Sequence, residues 1–169
     1  MLFQKENFFT NLDYILPELY KIKLYTKDEF NKKFDKQQWP GLRSEPLPDY
    51  HPILTSYILD NLKNLPIFSN TKFRLSMYLH LRLPEDDPKD WIHKDEGEDF
   101  AGLIYLNKTN LSSGTLIYDD EKNIINDMKY VKNRFICYNG SYNHKGYGYF
   151  GDSVKNGRLT LNLFMKKVK

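Results

Sequence analysis

The sequence has little of several features that would mark a special class of protein. Its 169 residues include a single cysteine, Cys137, so no internal disulfide can form. No run of about 18 apolar residues occurs, and therefore no membrane-spanning helix is expected. Residues 1–21 lack the basic start, apolar middle and small-residue cleavage site of a signal peptide. Together these absences predict a protein of the reducing cytoplasm with no membrane partner.

The composition is typical of a folded globular chain. Charged residues make up 28% and aromatic residues 15%, which excludes a disordered polar chain. The net charge of +3 is spread along the sequence, and the one basic run, at residues 166–169, has no arginine or aromatic neighbours. A nucleic-acid partner is therefore not expected. The length predicts one domain over residues 1–169.

Local patterns predict helices first and strands afterwards. Residues 1–70 have the pattern of helices and irregular segments, with helices at 28–34 and 52–65 and a proline-rich loop at 38–48. From about residue 72 apolar residues alternate with polar ones in short runs. These runs are residues 73–81, 102–106, 115–118, 130–131, 134–138, 147–150 and 158–165. The pattern predicts a mainly β fold, in which residues 71–169 form a cupin-like jelly roll (a double-stranded β-helix) and residues 1–70 pack on it.

Three residues have the chemistry of a metal site. His93 and Asp95 are two residues apart, so in a strand both side chains would point to the same face. So short a motif arises easily by chance, and a solvated acid at a strand end is the alternative interpretation. His144 lies where a glycine-containing turn leads into the next strand, and a structural histidine is the alternative there. Two imidazoles and one carboxylate would form the facial triad of mononuclear iron oxygenases, which leaves positions for an oxoacid and O₂.

A polar face is predicted on the last strand. Arg158, Thr160 and Asn162 alternate with leucines and would share one side of it. Inside a barrel the guanidinium would need a partner, and a dicarboxylate gripped by Arg158 and Thr160 is a suitable one. An arginine on an exposed edge strand is the alternative.

In this order, the H-x-D motif, the distal histidine and the Arg-x-Thr motif resemble the 2-oxoglutarate/Fe(II)-dependent oxygenase superfamily. Residues 101–107, 114–118 and 133–141 resemble strands of its prolyl-hydroxylase-like members, and the similarity runs from about residue 72 to 166. Residues 39–44 resemble a stretch of small oxygenases from phages and marine bacteria. If the gene is of phage origin, the expected location is the host cytoplasm.

The resemblance implies an activity and a set of site residues. The chain would be a 2-oxoglutarate- and Fe(II)-dependent dioxygenase that uses O₂ and releases succinate and CO₂. Its substrate would be an unidentified small molecule or peptide, possibly a prolyl peptide, although animal-type prolyl hydroxylases have lysine where this chain has Arg158. The implied ligands of iron are His93, Asp95 and His144, and the implied contacts of the oxoacid are Arg158, Thr160 and Tyr78.

Other interpretations stay open at this point. A cupin-like metal-binding module without oxygenase activity is the main alternative, and it would not need the Arg-x-Thr motif. A nucleic-acid demethylase is disfavoured by the acidic residues at 85–90 and 96–99. Residues 84–90 are either a solvated loop or a lid over the substrate. The sequence does not indicate an oligomeric state.

Overall fold

Helices and strands of two to four residues occupy the chain as far as Lys63, and strands of five to ten residues follow from Phe73 onward. The computed structural model describes residues 1–34, 39–86 and 91–168. The elements within these ranges are β1 (Leu2–Lys5), α1 (Leu12–Lys21), β2 (Leu24–Tyr25), α2 (Lys27–Lys33), β3 (Leu42–Ser44), α3 (Leu47–Tyr50), α4 (Pro52–Lys63), β4 (Phe73–Arg82), β5 (Phe100–Tyr105), β6 (Asn110–Tyr118), β7 (Ile124–Tyr130), β8 (Phe135–Asn139), β9 (Asn143–Tyr147) and β10 (Arg158–Lys167).

The strands form two antiparallel sheets. The larger sheet has seven strands in the order β1-β8-β5-β10-β4-β3-β2, and the smaller has the order β7-β6-β9. The predicted mainly β fold with N-terminal helices is thus confirmed. None of the described helices combines the length and hydropathy needed to cross a membrane.

Strand β10 shows how the sequence sets the two faces of the large sheet. Leu159, Leu161 and Leu163 are fully buried in the core that this sheet forms with helices α1 and α4. Arg158 and Thr160 alternate with them and are buried on the opposite face, which looks toward the small sheet. A second apolar cluster fills part of the space between the sheets, and it includes Ala101, Tyr105, Ile117, Met128, Tyr130 and Ile136.

Several local predictions hold and others fail. Helix α4 and strands β4 and β10 lie where the pattern put them, because each has a long, regular apolar periodicity. The prediction of a plain loop at residues 38–48 is wrong, since β3 lies within it and pairs with β4. A three-residue strand between prolines is too short to show a period. The strand predicted at 147–150 is displaced, because Asn143–Tyr147 pairs with β6 although it has little apolar alternation.

The two-sided sheet makes a prediction about stability. Leu161→Ala would leave a cavity in the main core, so the free energy of unfolding should fall by about 2–5 kcal/mol. Leu111→Ala is the matched control, because Leu111 is 62% exposed and its loss should change the free energy by about 0.5 kcal/mol or less. Urea denaturation measures both. Equal losses in the two variants would contradict this assignment of the core.

Candidate functional site

His93 and His144 face each other across two backbone hydrogen bonds. The amide of His93 donates to the carbonyl oxygen of His144 at 3.1 Å, and the amide of His144 donates back at 2.9 Å. Side chains of such an antiparallel pair lie on the same face. The segment around His93 is therefore not a regular strand, which was the condition under which the sequence placed His93 and Asp95 on one face. It is an irregular segment that a single bridge fastens to β9.

The carboxylate of Asp95 completes a compact set of donors. The amide of Asp95 donates to the carbonyl oxygen of Gly140 at 3.0 Å, which fixes the backbone two residues after His93. Asp95 Oδ1 lies 3.9 Å from His93 Nε2, and Asp95 Oδ2 lies 3.4 Å from His144 Nε2. One potential ligand atom from each residue lies within 4.8 Å of the other two. Ligands about 2.1 Å from an ion and at right angles are roughly 3 Å apart, so the set fits a small divalent ion after slight contraction.

Both imidazoles are oriented by the backbone. His93 Nδ1 lies 3.2 Å from the carbonyl oxygen of Trp91, and His144 Nδ1 lies 3.1 Å from that of Tyr142. A carbonyl oxygen only accepts, so each Nδ1 donates its proton there and each Nε2 is the ring nitrogen that faces Asp95. This is the outer-sphere arrangement that metal-binding histidines usually have.

The electrostatic environment of His144 favours the neutral form of its imidazole. Burial, followed by the nearby charge of His93, lowers the pKa of His144 to about 3, so its imidazole is uncharged at neutral pH. Burial raises the pKa of Asp95, against the attraction of His93 and Arg43. A cation between the three residues would favour the ionised form of that carboxylate.

The three residues open onto a cavity of about 270 Å³ between the two sheets. Strands β3, β4, β5 and β10 provide one wall, and strands β6 and β9 provide much of the other. Polar side chains on the large sheet include Arg43, His80, Arg82, Arg158, Thr160 and Asn162.

The guanidinium of Arg158 is buried beside this cavity. Its Nη2 donates to the carbonyl oxygen of Gly114 at 2.9 Å, while its Nε is buried without a hydrogen-bond partner. Among the described residues no carboxylate pairs with it. A Cβ atom on Gly146 would come within 3.0 Å of Nη2, so glycine leaves the space that this side chain occupies. The alternative of an exposed edge arginine is wrong, because Arg158 is 4% exposed and β10 is an interior strand.

Thr160 and Tyr78 have different positions relative to the cavity. Thr160 lines it, and its hydroxyl donates to Asn162 Oδ1 at 2.7 Å. Tyr78 lines a separate surface groove, where its ring lies 5.1 Å from the guanidinium carbon of Arg43. The expected contact between Tyr78 and the oxoacid stays a prediction.

The sequence interpretation did not select three residues that line the cavity. Arg82 and His80 lie on β4, and their alternation with Tyr78 was the available signal. His80 Nε2 lies 2.7 Å from the carbonyl oxygen of Pro40, and burial holds the pKa of this histidine well below its usual value. Arg43 lies on β3, which the sequence pattern did not predict because prolines flank this short strand.

A loop or lid was expected at residues 84–90. Residues 87–90 lie outside the described ranges, so the choice between a solvated loop and a lid stays untested.

Comparison with known proteins identifies the fold but finds no relative by sequence. No protein-family model matches the chain, and no curated protein matches it significantly. A prolyl 4-hydroxylase from Pseudomonas putida aligns with 99% of this chain and 93% of its own, with a TM-score of 0.59 and 11% identity. An oxidoreductase of the 2OG-Fe(II) oxygenase family from Burkholderia pseudomallei aligns with 98% of this chain and 84% of its own, with a TM-score of 0.56 and 12% identity.

A third solved structure is similar to the same extent. It is a prolyl hydroxylase from Trichoplax adhaerens in complex with a hypoxia-inducible-factor peptide fragment. It aligns with 98% of this chain and 83% of its own, with a TM-score of 0.55 and 11% identity. The chain therefore has the fold of these oxygenases.

The geometry of the three donors predicts one metal site per chain. Asp95→Ala removes the carboxylate, so the dissociation constant of Mn(II) should rise by more than about 100-fold, since losing only an outer-sphere partner typically costs 10–100-fold. Asp120→Ala is the matched control, because that side chain is 84% exposed and pairs with Lys94. The electron paramagnetic resonance signal of free Mn(II) gives both constants. Unchanged affinity in Asp95→Ala would contradict the site.

Proposed function

We propose that this chain is a 2-oxoglutarate- and Fe(II)-dependent dioxygenase whose two sheets form the double-stranded β-helix of that superfamily. We further propose that it is of the small phage or marine bacterial type that residues 39–44 resemble. One observation carries the activity more than any other. The buried guanidinium of Arg158 has no acidic partner among the described residues, and it lines the same cavity as the three candidate ligands.

His93, Asp95 and His144 would hold the iron. Bound there, iron with 2-oxoglutarate and O₂ would supply the oxidising power for hydroxylation, with release of succinate and CO₂. The backbone carbonyls of Trp91 and Tyr142 would keep both Nε2 lone pairs directed at the ion. Three protein ligands on one side leave the remaining positions open toward the cavity.

Arg158 would hold the far carboxylate of the oxoacid. With Nη2 anchored on Gly114, its other donors are left for a carboxylate, and the planar fork suits a two-point grip. The hydroxyl of Thr115 lines the same cavity, and because it accepts from Tyr105 its own proton could be donated to the same group. The hydroxyl of Thr160 could donate there too if it turned away from Asn162 Oδ1. A buried position strengthens such an ion pair, because water does not compete for it.

The substrate class stays broad at this level. Both a small molecule and a peptide are candidates, and a prolyl peptide is among them because two of the similar structures are prolyl hydroxylases. The decisive experiment incubates the protein with Fe(II), 2-oxoglutarate and a library of candidate compounds. Mass spectrometry should find one compound that gains a single oxygen, with an equal amount of succinate formed.

A cupin-like metal-binding module without oxygenase activity is the second candidate. It shares the metal site but gives no reason for a buried arginine facing the same cavity. This second candidate would be supported if the metal-loaded protein neither bound 2-oxoglutarate nor formed succinate.

The role of Arg158 gives a quantitative prediction. Truncating one partner of a desolvated charge pair costs about 2–5 kcal/mol. Arg158→Ala should therefore raise the apparent 2-oxoglutarate constant by roughly 30-fold or more, at about 1.4 kcal/mol per factor of ten. Initial rates of succinate formation and calorimetry on the Mn(II)-loaded protein both measure this constant.

Two controls separate this effect from general damage to the protein. Arg158→Lys should recover only part of the affinity, because an ammonium group cannot reproduce the two-point grip. Mn(II) affinity measured without the oxoacid should stay the same in both variants, since Arg158 is not a ligand. Unchanged 2-oxoglutarate affinity in Arg158→Ala would refute the assignment.

A further inference from the structure

A second buried guanidinium, that of Arg43, lines the same cavity. Arg43 lies on β3 and pairs in register with His80 of β4, so both side chains project from the same face of the large sheet. Its guanidinium carbon is 4.6 Å from the ring centroid of Trp39 and 5.1 Å from that of Tyr78. Only 7% of the residue is exposed. Aromatic rings therefore hold the cation in place while the cavity lies beside it.

Arg43 has no hydrogen-bonding or ion-pairing partner among the described residues, although the charge of Asp95 attracts it from beyond ion-pair distance. The Nε of Arg43 is buried without an acceptor. The indole Nε1 of Trp39, which lines the cavity too, is likewise buried without a partner. Burial lowers the pKa of Arg43 to about 10, which leaves it charged at neutral pH. A buried charge without a partner is costly, and ring contacts offset only part of that cost.

The charges in the cavity do not balance when the proposed metal and oxoacid are bound. Asp95 is the one acidic side chain among the described residues that line it. A divalent ion, the Asp95 carboxylate and an oxoacid dianion together leave one negative charge, which Arg158 offsets. Arg43 then remains as a cation without a counter-charge. Arg82 is a different case, because its Nη2 donates to the carbonyl oxygen of Asp86 and its guanidinium lies on the ring of Tyr149.

Arg43 and Arg158 also stand at separate places in the sheet. Strand β4 lies between β3 and β10, so the two backbones are about 10 Å apart at a spacing of 4.7–4.9 Å per strand. Each arginine can therefore serve a different group in one cavity.

We propose that Arg43 binds an oxyanion of the primary substrate, so that the substrate is a small molecule bearing a carboxylate or phosphate. This inference rests on the proposed function. It narrows the substrate class from small molecules and peptides in general to anionic small molecules. The oxyanion would accept hydrogen bonds from the guanidinium and would anchor the molecule in the cavity that the metal ligands share. A neutral prolyl peptide would leave Arg43 without a partner.

The test uses the full chain loaded with Mn(II) and saturating 2-oxoglutarate. Acetate and inorganic phosphate are the anionic probes, and the zwitterion L-proline also carries a carboxylate. Acetamide and L-prolinamide are the corresponding probes in which an amide replaces the carboxylate. The tryptophan fluorescence of Trp39, which lies against Arg43, reports binding in a Trp91→Phe background. At least one anionic probe should bind, and the probes without a carboxylate should bind at least about 10-fold more weakly, as expected for a lost hydrogen bond to a charged group. Comparing the affinities for acetate and for inorganic phosphate shows which of the two oxyanions Arg43 prefers.

Variants assign this binding to Arg43. Arg43→Gln should weaken the anionic probe by about 10-fold or more, and Arg43→Lys should retain part of the affinity. Arg74→Gln is the matched control, because Arg74 lies at an exposed position of the neighbouring strand β4, and it should behave as the wild type does. The affinity for 2-oxoglutarate should stay within about twofold in Arg43→Gln, since Arg158 holds that ligand.

Four results would overturn the inference. They are no binding of any anionic probe, equal binding of the amides, binding that survives in Arg43→Gln, and a loss of 2-oxoglutarate affinity in that variant. Each of these leaves the proposed function standing. A wild-type protein that takes up no Mn(II) or no 2-oxoglutarate would instead show at the loading step that the proposed function has failed, and the inference with it. If Arg43→Gln does not fold, the comparison of acetate with acetamide on the wild type still tests whether the cavity takes an oxyanion, and a partial loss of affinity in Arg43→Lys then assigns that oxyanion to Arg43.

Discussion

The pair of backbone hydrogen bonds between His93 and His144 is the constraint on which the site depends. Residues 91–95 have no regular strand structure of their own, and this bridge places them against the small sheet. It brings two histidines that are far apart in sequence onto the same face. The hydrogen bond from the Asp95 amide to Gly140 then sets the carboxylate next to both Nε2 atoms. The donor geometry thus follows from backbone pairing.

The large sheet positions the two buried arginines of the cavity. Its leucine face packs against the helices to form the main core, which fixes the positions of β4 and β10. On the opposite face Arg158 is buried with a hydrogen bond to Gly114, and Arg43 is buried without a hydrogen bond to any described residue. A protein tolerates such positions where a ligand completes them, and a cavity beside both arginines gives the ligand its place.

How much the sequence predicts depends on the length of each pattern. The alternation of Arg158, Thr160 and Asn162 with the leucines predicts the faces of β10 because six successive residues, 158–163, keep the same period. Arg43 was not selected, since β3 has three residues and gains its structure from pairing with β2 and β4. The resemblance supplied the grouping of His93, Asp95 and His144, and spacing alone could not distinguish that grouping from chance. Long-range pairing, which no local window contains, accounts for most of what was missed.

The central claim is that one metal ion and one 2-oxoglutarate molecule share this cavity, with the oxoacid chelating the ion. Anaerobic titration of the Fe(II)-loaded protein with 2-oxoglutarate tests it most directly, because chelation by an oxoacid gives a charge-transfer band in the visible spectrum. We expect a band that saturates at one equivalent of each and is absent in Asp95→Ala. A wild-type protein that binds Fe(II) but develops no such band with 2-oxoglutarate would contradict it.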